Sequence, residues 1–229
     1  MNGTIALTPQ IAQPARPSST RLSTWIGLFV SLFGMLLIRE GLKPFFPAYS
    51  FAGAVWREGL MFALAAALLF FIKYVEKQPL SSIGLRTSGW AKSLLWGLVT
   101  GIMGLAVAGA MAHWLNYGHG AGATAMDRYP LWLVMVIVIR AGIVEELCYR
   151  GYAIERLQSL GLGKWAAVAI PLVIFSAGHW TGGAANIAIA FVLGAMLTGL
   201  YVWRRDLPAN MFAHFFVDFV GNVLPRLLA

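Results

Sequence analysis

About seven apolar runs in the chain are each long enough to cross the hydrocarbon core of a membrane. That core is about 30 Å thick, and a helix of roughly 20 residues spans it. Inside lipid the backbone must satisfy its own hydrogen bonds, which such runs do as helices. The runs lie near residues 23–39, 52–74, 92–115, 130–156, 165–180, 186–203 and 207–227. The sequence therefore predicts an all-α fold, a polytopic integral membrane helix bundle with about seven transmembrane helices.

The composition agrees with a membrane protein and argues against a nucleic-acid partner. Hydrophobic residues make up 59% of the 229 positions and charged residues 11%, with a mean hydropathy of +0.72. In soluble domains about a quarter of the residues are charged. The net charge is +8, but the basic residues stand singly or in pairs between apolar runs and form no basic patch. We expect them to anchor the loops at the lipid bilayer rather than to bind nucleic acid.

The distribution of lysine and arginine between the loops predicts the orientation in the membrane. Cytoplasmic loops carry an excess of both residues. With the amino terminus in the cytoplasm, most of the basic residues of the loops lie on the cytoplasmic side. We therefore expect a multi-pass protein of the cell inner (plasma) membrane with a cytoplasmic amino terminus.

Three regions are expected along the chain. Residues 1–22 have the composition of a disordered tail, 23–91 hold amino-terminal transmembrane helices and a polar cytoplasmic loop, and 92–229 hold the functional helix bundle. The fifth apolar run is short and ends at Thr181-Gly182-Gly183, so an irregular or re-entrant end is expected there. The sequence shows no internal repeat, which gives no support to a transporter built from duplicated halves.

Charged residues cluster in the middle of the fourth apolar run. Glu145, Glu146 and Arg150 lie there, with Arg140 shortly before them. Each charge at the centre of a spanning helix costs about 2.5 to 3.5 kcal/mol, so such a cluster is tolerated only when its members are paired or used. Glu146 and Arg150 are four residues apart and are expected to form an ion pair within the helix. In an α-helix Glu145 has no cation on its own face, which favours a functional role for it.

Further polar residues lie in the later runs. His179 ends the fifth run, and Asn210, His214 and Asp218 form a stripe on one face of the last. Gly194, in the sixth run, permits close approach of another helix or of a substrate backbone. At 1.5 Å per residue His179, His214 and Asp218 lie at depths in the membrane similar to that of Glu145, within the error of the helix boundaries. We expect one pocket that is reached from the cytoplasm.

The residue types permit two kinds of chemistry. A carboxylate beside an imidazole can take a proton from water as a general base, with a second imidazole facing the developing oxyanion. Glu145, His179 and His214 are also an adequate ligand set for a catalytic Zn²⁺ or another divalent metal. The residues alone leave both open, including a site without any cofactor.

Four ordered motifs resemble those of the CPBP family, which comprises CAAX prenyl proteases and bacteriocin-processing or self-immunity (Abi) proteins. The motifs are Glu145-Glu146 with Arg150, Phe175 with His179, Phe191 with Gly194, and His214 with Asp218. The resemblance covers about residues 130–225, and the short element Ile83-Gly84-Leu85-Arg86 is similar as well. It implies an intramembrane endopeptidase that cleaves a peptide or a small membrane-associated protein.

The resemblance also implies roles for individual residues. Glu145 is expected to activate water with His179, Glu146 and Arg150 to support and orient it, and His214 with Asp218 to occupy the oxyanion or metal-binding corner. Asn210 and Gly194 are expected to support the site. Asp218 departs from the eukaryotic pattern, in which asparagine is common; an ionised aspartate donates no hydrogen bond, so it is expected to orient His214 or bind a cation.

Other readings remain at this point. The strongest alternative is a non-catalytic bacteriocin self-immunity or membrane scaffold protein with the same fold; a cation or proton carrier is weaker. The chain has no His-Glu-x-x-His zinc motif, no Gly-x-Ser-Gly serine and no Gly-x-Gly-Asp aspartate. These absences argue against three other classes of protease.

Overall fold

The computed structural model describes residues 18–86, 89–117 and 126–228, with side chains from Arg21 onward. Within those ranges every regular element is a helix, and no strand is found. The predicted all-α fold is therefore confirmed for the described part of the chain. The predicted disordered tail, 1–22, lies outside it except for its last five residues, which are helical.

The amino-terminal part contains three long helices. They are α1 (Ser18–Leu42), α2 (Phe51–Phe70), which continues as a π turn (Phe71–Val75), and α3 (Trp90–Trp114). A 3-10 turn, Leu80–Ile83, lies in the polar loop between α2 and α3. Ser50 caps α2 by accepting a hydrogen bond from the backbone N–H of Gly53 at 3.1 Å.

The carboxy-terminal part contains one helix that changes type along its length. It starts as α4 (Leu131–Arg140), continues as a π-helical segment (Ala141–Ile154) and ends as α5 (Glu155–Ser159). The later elements are α6 (Lys164–Ala177), a 3-10 turn (Trp180–Gly182), α7 (Gly183–Arg204), α8 (Leu207–Asp218), a π turn (Phe219–Val223) and α9 (Leu224–Leu228).

Five helices among the described residues are long and apolar enough to cross a membrane, so this is a multi-pass membrane protein. They are Arg21–Leu42, Phe51–Val75, Trp90–Trp114, Trp180–Arg204 and Leu207–Leu228. The predicted runs near 130–156 and 165–180 are also helical, but the first contains the charged cluster and the second is a shorter apolar helix, Lys164–Ala177. The count of about seven crossings stays a prediction. The irregular end expected for the fifth run is present as the 3-10 turn after α6.

The helix α3 packs closely on α8 through small residues. A Cβ atom added to Gly97 would lie 2.7 Å from the carbonyl oxygen of Ala209, and one added to Gly101 would lie 2.8 Å from the Phe216 ring. Without side chains at these two positions the helix backbones can approach each other. This contact fixes α8, which carries His214 and Asp218, against its neighbour.

The amino-terminal helices share a hydrophobic core with the carboxy-terminal bundle. Leu28 of α1 and Leu68 of α2 belong to the same buried cluster as Leu147 and Tyr152 of the π segment. Polar contacts reinforce it: the Ser31 hydroxyl donates to the carbonyl of Cys148 at 2.6 Å, and the Tyr152 hydroxyl donates to Glu76 at 2.8 Å. The expected division at residue 91 thus separates segments that are packed together.

The polar loop docks on the junction between α7 and α8. Gly84 has a φ of 73°, a conformation that favours glycine, and its carbonyl accepts a hydrogen bond from the backbone N–H of Leu207 at 2.9 Å. The Arg86 side chain donates to the carbonyl of Arg204 at 3.2 Å. The short element Ile83–Arg86 therefore holds the start of α8, the helix that leads to His214.

Candidate active site

Glu145 forms an ion pair with Arg140, five residues earlier. In the π-helical segment backbone hydrogen bonds join residues five apart, so the side chains of positions i and i+5 come onto one face. The expectation that Glu145 has no cation on its face was wrong, because it assumed α-helical spacing. His214 and His179 also lie close enough to Glu145 to interact with it electrostatically.

Arg140 has a second carboxylate partner, on another helix. Its Nε donates to Oε2 of Glu58 in α2 at 2.7 Å, and Nε of Arg57 donates to the other oxygen of Glu58 at 2.7 Å. Sequence reasoning missed Arg57 and Glu58. The sequence did contain a signal: two neighbouring charged residues lie inside the second apolar run. Placing these charges in a spanning helix costs free energy, as it does for the cluster around Glu145.

Glu146 is fully buried and accepts hydrogen bonds from three side chains. Arg150 Nη1 donates to Oε1 at 2.8 Å, His214 Nδ1 reaches the same oxygen at 2.7 Å, and Asn210 Nδ2 donates to Oε2 at 3.3 Å. The expected ion pair between Glu146 and Arg150 is therefore present. Glu146 also ties the π segment to α8, since it holds His214 and Asn210.

Arg150 is itself enclosed by α6 and α7. Its Nη2 donates to the carbonyl of Gly194 at 3.2 Å, and its guanidinium lies 4.2 Å from the centroid of the Phe175 ring. A Cβ atom at Gly194 would lie 3.0 Å from Arg150 Nη2. The close approach predicted for Gly194 is thus made by this arginine, which needs the space that a side chain would fill.

His179 follows the end of α6, before the 3-10 turn. Its Nδ1 lies 2.9 Å from the carbonyl oxygen of Phe175. Because a carbonyl oxygen only accepts, Nδ1 is protonated, and in the neutral ring Nε2 carries the lone pair. The Asn186 side chain donates to the backbone carbonyl of His179 at 3.0 Å, which ties the turn to α7.

His214 lies between two carboxylates. Nδ1 is 2.7 Å from Glu146 and Nε2 is 3.7 Å from Oδ2 of Asp218. Phe175 packs between the two histidine rings, with centroid distances of 4.9 Å to His179 and 6.1 Å to His214. The ring orientation of His214 is therefore fixed by Glu146 on one side and by apolar packing on another.

A cavity of about 170 Å³ opens beside these side chains. Its polar lining consists of His179, His214, Asp218, Asn186 and Thr100, and most of the remainder is apolar. Polar groups at one wall of an apolar pocket are typical of a site that binds an apolar ligand and orients one reacting bond. Three of the predicted residues thus meet at this cavity: His179, which follows α6, and His214 and Asp218 of α8. Glu145 is not among the lining residues.

In the described part of the chain no group of three or more histidine, cysteine, aspartate or glutamate side chains converges as metal ligands must. Glu145 is held by Arg140, and Nδ1 of His214 is held by Glu146. The proposed ligation by Glu145, His179 and His214 stays a prediction, and the chemistry below is derived from protein groups alone.

In the described ranges, fold and site together define a multi-pass helical membrane protein with two carboxylates and two histidines inside the bundle. Glu146 and His214 are buried, and Glu145 and His179 are half-buried. Residues 127–220 of this chain match the family model of the type II CAAX prenyl endopeptidases, described as Rce1-like. The resemblance to the CPBP family is confirmed over this segment, which contains every residue predicted for the site. Comparisons with curated proteins and with solved structures gave no match. The family supports an intramembrane protease of the CAAX type.

Proposed function

We propose that the protein is an intramembrane endopeptidase in which Glu145 and His179 activate water. The observation that carries this proposal is that His179, His214 and Asp218 line one largely apolar cavity within the bundle and lie close enough to Glu145 to interact with it electrostatically. Charged and polar side chains inside a membrane bundle mark functional sites by default, because their burial is costly. The substrate is a peptide or a small membrane-associated protein, whose apolar side chains suit the cavity.

Glu145 is assigned the role of general base. Arg140 holds its Oε1, and Oε2 takes a proton from the water whose oxygen attacks the scissile carbonyl carbon. Nε2 of His179 accepts a hydrogen bond from that water and orients it. The proton on Glu145 then passes to the leaving amine as the carbon–nitrogen bond breaks, which restores the carboxylate.

His214 is assigned to the carbonyl oxygen of the substrate. In its protonated form Nε2–H donates a hydrogen bond to the oxyanion, whose charge develops in the transition state. Glu146 holds the opposite nitrogen at 2.7 Å, and Asp218 lies 3.7 Å from Nε2, so both carboxylates favour the protonated ring. Asp218 thus supports His214 and does not contact the oxyanion, because an ionised carboxylate has no hydrogen to donate to it.

The proposal is tested with two internally quenched peptides that share one sequence ending in cysteine, two aliphatic residues and methionine. One peptide is farnesylated at the cysteine and the other is not. Purified protein in proteoliposomes is compared with the double variant Glu145→Ala/His214→Ala, and Glu76→Gln serves as the control. Glu76 is a glutamate paired with Arg156 at 2.7 Å, away from the cavity.

We expect the wild type and the control to cleave at least one peptide, and the double variant to leave both intact. Loss of one general base or oxyanion donor costs on the order of 10²-fold in rate. Cleavage that persists in the double variant contradicts the proposal. A different result favours the non-catalytic immunity or scaffold function instead: neither peptide is cleaved by the wild type or by either variant, and the double variant still protects cells against a bacteriocin.

A further inference from the structure

A buried carboxylate of the amino-terminal helices reaches the site. Glu58 lies in α2, has 2% of its surface exposed, and uses both oxygens: Oε1 accepts from Arg57 and Oε2 from Arg140, each at 2.7 Å. It lies outside residues 127–220, the segment that matches the family model. It takes no part in the chemistry proposed for Glu145, His179 and His214.

Arg140 connects Glu58 to the proposed general base. Its Nε donates to Glu58 and its Nη1 to Glu145, so one guanidinium is held between carboxylates of two helices. A guanidinium is planar and its donors form a rigid fork, so fixing one edge fixes the direction of the other. The position of the Glu145 carboxylate therefore depends on where Glu58 holds Arg140.

The charge of Glu58 matters as well as its geometry. Arg140 beside Glu145 alone would attract both oxygens of that carboxylate and compete with the water for them. Glu58 supplies a second negative charge on the far edge of the guanidinium, so Arg140 is shared between two acceptors. This arrangement leaves one oxygen of Glu145 for the water, as the mechanism requires.

We propose that Glu58 is a positioning residue for catalysis, which acts through Arg140 to orient the Glu145 carboxylate toward the water. This inference rests on the proposed peptidase function. It makes the amino-terminal helix pair a part of the working site and not only a support for the bundle. The alternative is a purely structural ion pair between α2 and α4.

The chain offers a matched control for that alternative. Glu76 and Arg156 also form a buried ion pair between the amino-terminal helices and the later bundle, at the same 2.7 Å and with both side chains 3% exposed. Glu76 further accepts from Tyr152 at 2.8 Å, so it has two donors, as Glu58 does. If Glu58 acts only as a buried, paired carboxylate, Glu58→Gln and Glu76→Gln will change kcat and the thermal unfolding midpoint to a similar extent.

The experiment measures kcat, KM and the thermal unfolding midpoint for five variants with the better cleaved of the two peptides. They are Glu58→Gln, Glu76→Gln, Arg140→Gln, the double variant Glu58→Gln/Arg140→Gln, and Glu145→Gln. Glu58→Asp is added because it keeps the charge and withdraws the carboxylate by one methylene.

We expect Glu58→Gln to lower kcat on the order of 10²-fold with little change in KM, since misplacement of a reacting group has that effect. Glu76→Gln is expected to lower the unfolding midpoint similarly but to keep the wild-type kcat. Glu58→Gln should have no further effect in the Arg140→Gln background, because residues that act through one another are not additive. If Glu58→Gln does not insert, Glu58→Asp is expected to show the loss of kcat at a near-wild-type midpoint.

Equal kcat for Glu58→Gln and Glu76→Gln overturns the inference, and so does an effect of Glu58→Gln that adds in full to that of Arg140→Gln. If Glu58→Gln does not insert and only Glu58→Asp can be studied, a wild-type kcat for Glu58→Asp also overturns the inference. The proposed function fails separately, if Glu145→Gln cleaves the peptide as fast as the wild type.

Discussion

Two neighbouring glutamates have opposite surroundings. Glu146 is fully buried and accepts hydrogen bonds from Arg150, His214 and Asn210. Glu145 keeps 14% of its side chain exposed and is paired through one oxygen with Arg140. A carboxylate with three protein donors has little capacity left for water. The proposed mechanism therefore gives Glu146 the role of orienting the site and Glu145 that of proton transfer.

Replacing Glu146 by glutamine is expected to destabilise the protein as well as to inactivate it. The change leaves the buried Arg150 without its counter-charge, and breaking such a pair costs on the order of 3 to 5 kcal/mol. Thermal unfolding in detergent measures the effect. Glu40→Gln is the control, because Glu40 is 38% exposed and its partner Lys43 is 63% exposed, and exposed pairs of this kind contribute little to stability. Equal unfolding midpoints for the two variants would contradict this account of Glu146.

At the scale of single elements, the π-helical segment Ala141–Ile154 determines how the site is assembled. It brings Arg140 and Glu145 together at a spacing of five residues and Glu146 and Arg150 at a spacing of four. Regions with π-type hydrogen bonding are frequent at functional sites. The segment packs tightly on α8, since a Cβ atom at Gly142 would lie 2.8 Å from the carbonyl oxygen of Met211.

Arg150 packs against α7 at Gly194, so alanine substitutions at two glycines of that helix are expected to change stability in opposite directions. Gly194→Ala would place a Cβ atom 2.9 Å from Leu172 and 3.0 Å from both Arg150 and Phe175, and such overpacking costs about 1 to 3 kcal/mol. At Gly199 no described atom outside the local helix backbone lies within 4 Å, so alanine there should stabilise by about 1 kcal/mol through helix propensity. Thermal unfolding of the two single variants compares them directly. A stabilised Gly194→Ala protein would show that Arg150 does not need this space.

Helix positions could be predicted from the sequence, whereas the partner of Glu145 could not. The predicted runs 52–74 and 207–227 differ by a residue or two from the spans Phe51–Val75 and Leu207–Leu228, because length and apolarity alone define such runs. The link between Arg140 and Glu145 depends on a change of helix type, which side-chain periodicity does not reveal. The four motifs contain the residues of the candidate site, but nothing in them indicates Glu58.

At the scale of the whole molecule, the helices before residue 91 and the matched segment form one structure. They share a hydrophobic cluster, and several polar contacts join them, among them Ser31 with Cys148, Glu58 with Arg140, and Glu76 with Arg156. Interhelical contacts of this kind arise from packing in three dimensions. The expected boundary at residue 91 was based on the polarity of the loop, and loop polarity gives no information about these contacts.

The predicted orientation can be tested by cysteine labelling in sealed cells. The natural Cys148 is fully buried, so it should not react with a membrane-impermeant maleimide. Lys43 and Lys92 are both exposed and lie on opposite sides in the predicted topology. We expect Lys43→Cys to be labelled in intact cells and Lys92→Cys only after permeabilisation. The reverse pattern would place the amino terminus outside the cytoplasm.

The central claim is that Glu145 activates the water that cleaves the peptide bond. Its most direct test is the initial rate of peptide cleavage by Glu145→Gln, measured in proteoliposomes beside the wild type and Glu76→Gln. Glutamine keeps the size of the side chain but cannot accept the proton, so the rate should fall on the order of 10²-fold or more, while Glu76→Gln stays near the wild-type rate. A Glu145→Gln protein that cleaves as fast as the wild type would contradict the account.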